Sequence, residues 1–329
     1  MSTGASQVLE DAGVDPLTQQ PEPGGRRIES RTPWQLFWRA FRQDKVAVAG
    51  LIFIIALIVV AIFAPLIVKL VGAPPPNKID STALDDFGTP TGPSAEHWFG
   101  VDPLGRDVFA RTLYGARVSL LVAIVSTGIA TVVGVVAGLT AGYFRGWVDS
   151  IVSRTMDVLL AFPVLLLALG LASACSLGDG CMGGLIQPGV PVVIFVIALV
   201  SWTYIGRIIR GQVLSLREKE FVESSRSLGA GDTRIIFREL LPNLVVPIIV
   251  YATLILPTNI LFEASLSFLG VGVQPPTASW GAMISDATGV FDTAWWYMLF
   301  PGLALLFTVL AFNLVGDGLS DALNPRKGD

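Results

Sequence analysis

The sequence predicts an all-α polytopic membrane protein with six transmembrane helices. Two observations carry that prediction. Charged residues make up only 15% of the 329 positions, hydrophobic ones make up 52%, and mean hydropathy is +0.65; an average soluble domain is roughly 25% charged. Uncharged runs near twenty residues also recur along the chain, the length a helix needs to cross a hydrocarbon core of about 30 Å. The runs are continuous and do not alternate polar with apolar, which excludes a membrane β-barrel. The 34 glycines and 21 prolines suit kinked, closely packed membrane helices. A formal net charge of −4 argues against nucleic acid as a partner.

Residues 1–30 are rich in Gly, Pro, Ser, Gln and acid and read as a disordered cytoplasmic tail. In 31–45, Trp34, Phe37, Trp38 and Phe41 fall at helical spacing among Arg31, Arg39, Arg42 and Lys45, which predicts an amphipathic helix at the membrane interface. The first transmembrane helix is placed at 46–70, on the run Val46 to Val68; a hydrophilic stretch precedes it and its apolar core is too long for a signal peptide. Residues 71–112 read as an external loop. It opens on Pro74, Pro75 and Pro76 and carries Asp80, Asp85, Asp86, Glu96, Asp102 and Asp107, an acidic surface suited to a solvated connector or to docking an external partner. A five-helix core is expected over 113–318. Its spans lie on Val118–Phe144, Val158–Leu177, Pro191–Gly206, Leu240–Phe262 and Thr293–Gly316, with a cytoplasmic loop at 211–243; residues 319–329 form a cytoplasmic tail. Basic residues set the orientation. With both termini inside, 17 of the 22 Lys and Arg fall on the cytoplasmic side, and only Lys69, Lys78, Arg106, Arg111 and Arg117 lie outside.

Catalytic machinery is hard to find. The one histidine, His97, cannot build a metal site with spaced partners and reads as a structural hydrogen-bonding residue. There is no phosphate-binding loop ending in Gly-Lys-Ser/Thr and no Gly-x-Ser-x-Gly elbow. The chain is expected to catalyse nothing itself and to hold no metal. Cys175 and Cys181 share a short outer loop through Gly178, Asp179 and Gly180, where they can close a small disulfide ring or stay as two thiols. Few charges enter the spans. Asp157 has Arg154 one turn earlier, the spacing of a structural pair, with a cargo contact as the other reading. Glu263 ends the fifth span, and an acid within the membrane is a functional candidate for a cargo path or gate. Asn259 and Asn313 either line a polar path or bridge helices. Gly134, Gly138 and Gly142 repeat every four residues and present a smooth face for close packing. Pro163, Pro247, Pro257 and Pro301 interrupt the spans at points able to bend.

The loop between the fourth and fifth spans is the most informative segment. Gly229 can end one short helix by adopting positive φ. Asp232 is suited to cap the next. A helix–Gly–helix elbow beneath the membrane can seat in a groove of another protein, with Phe221, Val222, Leu228, Ile235, Ile236 and Phe237 supplying contact and tether faces. Glu223-Ser224-Ser225, Gly229 and Leu241-Pro242 together resemble the Glu-Ala-Ala ("EAA") loop of ABC importer permeases, with Ser-Ser in place of Ala-Ala. His97-Trp98-Phe99-Gly100-Val101-Asp102-Pro103-Leu104-Gly105-Arg106-Asp107, Tyr114 to Leu120, Asp157 to Pro163, Glu263 to Gly270 and Gly316-Asp317-Gly318-Leu319 resemble further motifs of the dipeptide/oligopeptide/nickel subgroup. The likeness spans about residues 30–326 and is nearest the second permease of the pair (DppC/OppC-like).

That resemblance implies a type I ABC importer permease fold and a pore shared with a second, homologous permease. It implies one or two kinds of cytoplasmic ATPase, which bind ATP and Mg, and an external substrate-binding protein. It places the chain in a prokaryotic inner membrane and implies peptides as cargo, with nickel, glutathione or another small solute as the alternative. It also carries the ATPase contact onto Glu223, Ser224, Ser225, Gly229, Ala230 and Asp232. An ion-coupled secondary transporter is the rival of a different class. It fits poorly, because the spans are nearly charge-free and the conspicuous polar element is a cytoplasmic loop.

Overall fold

The structure is a computed structural model that describes residues 33–176 and 180–323; the expected tail at 1–30 and the last six residues lie outside it. The elements among the described residues are all helices, joined by irregular segments that hold only isolated bridge pairs of extended backbone. Helix α1 (Pro33–Gln43) begins with a proline at its first position, where the missing N–H costs nothing. Phe41 of α1 is 4% exposed and packs into the first core cluster, while Arg42 lies over the Trp38 ring. Asp44 then caps α2 (Lys45–Val71), accepting from the amides of Val46 and Ala47 at 2.9 and 3.0 Å. Gly72, at φ +76°, closes α2 in the left-handed conformation that glycine adopts without strain. A stripe along α2 (Ala47, Gly50, Ile54, Ala61) packs into the core cluster shared with the final helix, and Ala64 and Val68 continue the buried face. The opposite face (Ile52, Ile55, Val59, Ile62, Phe63, Leu66) stays exposed and apolar, as a lipid-facing helix requires.

The core is built on α3 (Val108–Phe144), α4 (Gly146–Ala161), α5 (Val164–Ser176), α6 (Val190–Leu216) and α7 (Glu220–Ser227). It is completed by α8 (Asp232–Phe268, with a wide π turn at Ile235–Leu240), α9 (Trp280–Ala287) and α10 (Trp295–Leu323). Five of these helices (α2, α3, α6, α8 and α10) are long and apolar enough to cross a membrane. The α4–α5 pair makes a sixth span if its two halves count as one. The glycine stripe does what its spacing predicts. A Cβ added to Gly134, Gly138 or Gly142 would run into the backbone or Cβ atoms of α6 between Trp202 and Val213, so α3 and α6 pack backbone against backbone.

The structure corrects several sequence boundaries. The third span is not one straight helix over 158–177: α4 and α5 meet at 92°. Pro163 lacks the amide a helix needs, and Phe162 before it is extended at φ −81°, ψ 143°. Helix α3 begins at Val108, so the external segment ends at 107 rather than 112. Hydropathy missed this first turn because it holds Arg111 and Thr112; Arg111 Nη1 donates to Pro76 O and Asn77 Oδ1 of the external segment, and Thr112 Oγ1 donates to Val108 O one turn earlier. Helix α6 runs on past the expected end at Gly206 to Leu216, six residues into the expected loop, and so includes Arg207 and Arg210, which Asp157 and Asp149 of α4 neutralise. The external segment is also less acidic at its surface than its composition suggests, since Asp102 and Asp107 are buried.

Those two buried acids explain why the His97–Asp107 run folds as a latch on α3. Asp102 Oδ1 accepts from the amides of Leu104 and Arg106, both at 2.9 Å, and its Oδ2 accepts from Arg106 Nε at 2.6 Å. Asp107 caps α3 through Ala110 N at 2.7 Å and takes a 2.8 Å hydrogen bond with His97 Nδ1. The latch is held to α10 by Trp296 Nε1, which donates to Val101 O, and by the stacked rings of Phe99 and Phe300.

Candidate functional site

The elbow lies at the ends of α3 and α6. Helix α7 closes through a Schellman motif: Gly229 N donates to Arg226 O and Ala230 N to Ser225 O, each at 3.0 Å, with Gly229 at φ +81°. The following turn is not capped by Asp232 as expected. Gly231 holds the cap position, and Asp232 is the first residue of α8, which runs unbroken into the membrane. The second arm of the elbow is therefore the start of a transmembrane helix. Freed from capping, Asp232 accepts a 2.6 Å hydrogen bond from Tyr143 Oη at the end of α3.

Further ties fix the elbow to the core. Val222, Ile235 and Leu240 are buried among Leu139, Tyr143, Ile205, Ile209 and Val213. Arg217 Nη1 donates to the carbonyl oxygens of Gly142 and Tyr143, with its guanidinium over the Tyr143 ring, and Arg145 pairs with Glu218. These side chains hold the elbow against both α3 and α6. The opposite face is open. Leu228 is 89% exposed at the tip, and Phe221, Phe237, Glu223, Ser224 and Gly229 are exposed, with Ser225 and Ala230 half-buried. Glu223 lines an open cavity of about 410 Å³ with Arg217, Glu218, Arg226 and Ser227. An apolar tip rimmed by charge is a surface suited to a protein groove.

The four polar residues named as path or gate candidates do not come together. Asn259 is buried where α3, α6 and α8 meet, donating to Thr127 Oγ1 at 2.8 Å and accepting from Ser201 Oγ at 2.7 Å, so it bridges helices. Glu263 is fully buried one turn further along α8 and accepts from Ser119 Oγ at 2.7 Å and Ser267 Oγ at 2.8 Å. Those two hydroxyls also hold Trp280 N and Val273 N, so Glu263 ties α3 and α8 to the loop that leads into α9. Asn313 is exposed on α10. Asp157 is exposed too, and its partner corrects the expected one: it pairs with Arg207 of α6 at 2.6 Å, not with Arg154 on its own helix. Cys175 and Cys181 are disulfide-bonded, with Cα atoms 4.7 Å apart. Among the described residues no cluster of His, Cys, Asp and Glu could hold a metal ion. Tyr143 and Arg217 were missed from sequence: Tyr143 and Asp232 are 89 positions apart, and no local pattern marks them as partners.

Comparison with known proteins gives the architecture a family. The model of the binding-protein-dependent transport system inner membrane component matches residues 134–329. The chain belongs to that family. A second model, the N-terminal transmembrane domain of oligopeptide transport permease C, matches residues 32–86. Glutathione transport system permease proteins GsiD from Escherichia coli O6:K15:H31 and Shigella boydii serotype 4 are each 45% identical over 296 residues, covering 90% of this chain and 91% of theirs. A solved structure of the MetNI methionine ABC transporter, in inward-facing conformations, contains a chain that superposes with a TM-score of 0.53 at 19% identity. The match covers 66% of this chain and 96% of that one, and it extends the likeness to the fold. The protein is thus a multi-pass permease subunit of an ABC importer, with the type I importer permease fold. Members of this family work with a second permease and with ATPase subunits.

Proposed function

We propose that this chain forms half of the translocation pore of an ATP-driven importer of di- and oligopeptides in a prokaryotic inner membrane. A homologous second permease supplies the other half. An external substrate-binding protein delivers cargo to the face carrying residues 72–107, and one or two kinds of ATPase, which bind ATP and Mg, dock beneath the elbow. Both termini lie in the cytoplasm, in line with the 17 basic residues on that side. The single observation that carries the reading is the elbow itself: an open face with Glu223, Leu228 and Gly229, tied to α3 and α6 by Tyr143, Arg217 and Val222. A surface free on one side and locked to two spans on the other passes motion from an ATPase into the membrane.

The chain does no covalent chemistry. ATP binding draws the ATPases together and the elbow with them, and the pore opens outward to receive cargo. Hydrolysis resets the inward state. The protein's part is a difference in stability between two arrangements. Glu223 would pair with a basic group of the ATPase, Ser224 and Ser225 allow close approach, and Gly229 holds the tip in shape, with Ala230 and Asp232 completing the contact. The 45% identity to permeases named for glutathione transport favours glutathione, itself a tripeptide, within the same reading; nickel is the less supported cargo.

The test is uptake of a labelled tripeptide and of labelled glutathione in a strain deleted for this gene. The strain is complemented at matched expression with wild type or with Glu223→Ala. Rescue by wild type but not by the variant is expected. Equal rescue by both sinks the coupling role, and uptake unaffected by the deletion sinks the peptide cargo.

A further inference from the structure

A cavity of about 480 Å³ opens between the latch, the loop after α8, helix α9 and the start of α10. That size lies within the range of sites for small molecules. Its walls carry opposite charges. On one side Arg106 and Arg111 share a single buried carboxylate, Asp102, at 2.6 and 3.6 Å. Arg111 spends Nη1 on Pro76 O and Asn77 Oδ1, and its buried Nε has no hydrogen-bond partner. Arg106 uses only its Nε on Asp102, so the terminal nitrogens of its guanidinium fork make no hydrogen bond to the described residues. Two guanidiniums facing one carboxylate leave that wall positive. On the other side Asp286 of α9 is exposed and lines the cavity, and only its Oδ2 is taken, accepting from Tyr297 Oη at 3.2 Å. Gln274 and Thr277 add neutral polar groups between the two walls.

A guanidinium fork recognises a carboxylate with paired hydrogen bonds, and a carboxylate recognises an ammonium. We propose that this cavity is a cargo subsite for a zwitterion, an unblocked short peptide whose carboxylate meets Arg106 and whose ammonium meets Asp286. The inference rests on the peptide reading above and deepens it, because it gives the permease its own part in choosing cargo. Its location fits that role. The Ser267 that lines the cavity also hydrogen-bonds Glu263, so the subsite borders the buried node joining α3, α8 and the loop into α9.

The experiment uses the full importer, both permeases with their ATPases, in lipid nanodiscs without the binding protein. Equilibrium dialysis measures binding of labelled dialanine and of labelled glutathione to wild type, Arg106→Gln, Arg106→Lys and Asp286→Asn. N-acetyl and C-amide dialanine serve as competitors. Wild type should bind at least one of the two ligands. Arg106→Gln and Asp286→Asn should weaken binding at least tenfold, Arg106→Lys should do so less, and either blocked peptide should compete at least tenfold more weakly than the free one. The lysine and asparagine variants keep size and hydrogen bonding, so their normal assembly on size exclusion separates a lost site from a lost fold. Wild-type affinity in Arg106→Gln and Asp286→Asn, or equal competition by blocked peptides, overturns the subsite. So does an absence of binding to wild type when cells import the same peptide through this protein, and in that case the importer reading stands. If cells carrying the wild-type gene import neither ligand, the peptide reading fails and the subsite fails with it.

Discussion

At the scale of single residues, the buried polar groups divide into those that brace the fold and those that face a partner. Asn259 belongs to the first kind, because its amide is consumed by Thr127 and Ser201 on two other helices. Replacing it with Leu leaves two buried hydroxyls unpaired. Each lost bond costs on the order of 1 kcal/mol, less in membranes than in soluble cores, so a loss of about 1–2 kcal/mol is expected. Reversible unfolding of the purified protein in mixed micelles would measure it. A path-lining role predicts the contrary pattern, with unchanged stability and altered cargo preference. From sequence alone Asn259 was equally readable either way, because bridging needs partners 132 and 58 positions distant. Asp157 shows the same limit. The i, i−3 spacing offered Arg154, but α4 faces α6, and the longer-range Arg207 takes the carboxylate.

Among the elements, the α3–α6 pair is the structural axis of the core. Its glycines were legible because a four-residue period of the smallest side chain has one physical use on a membrane helix. Gly138 is the tightest test. An added Cβ would sit 2.6 Å from Gly206 O and 2.9 Å from both Arg210 N and Ile209 Cβ, atoms of backbone or branch points that cannot turn aside. Gly138→Val should therefore push the helices apart and cost at least about 1–3 kcal/mol. It should appear as loss of the monodisperse peak in detergent, whereas Gly128→Val, with nothing within 4 Å, should behave as wild type. The α4–α5 bend is the counter-example. Composition alone made 158–177 a span, but a proline with an extended residue before it broke that span into two arms at 92°.

At the scale of the whole molecule, the coupling role proposed for the elbow requires contacts that pass a movement there into the membrane. Three kinds of contact connect them: the apolar seat of Val222, the Arg217 grip on the end of α3, and the Tyr143–Asp232 hydrogen bond. Tyr143→Phe removes only the last and keeps the ring beneath Arg217. The expected outcome is a complex that assembles and hydrolyses ATP but imports more slowly, by about two- to tenfold for a loss near 0.5–1.4 kcal/mol. Side-by-side ATPase and uptake assays in proteoliposomes decide it; equal falls in both rates would assign Tyr143 to assembly instead of transmission.

The sequence by itself determined that the chain is an all-helical membrane protein, which residues lie near each span, where the elbow sits and which family the chain resembles. All of these rest on signals carried within a few turns of chain: hydropathy over twenty residues, a glycine period, a motif of fixed spacing. The tertiary structure decided which polar residues are spent on one another. It buried Asp102 and Asp107 inside a segment read as an acidic surface, gave Asp232 to Tyr143, and set Arg106 across a cavity from Asp286. The reason is physical. A buried polar group takes whichever partner the packing brings within about 3 Å, and packing joins helices whose residues stand far apart in the chain.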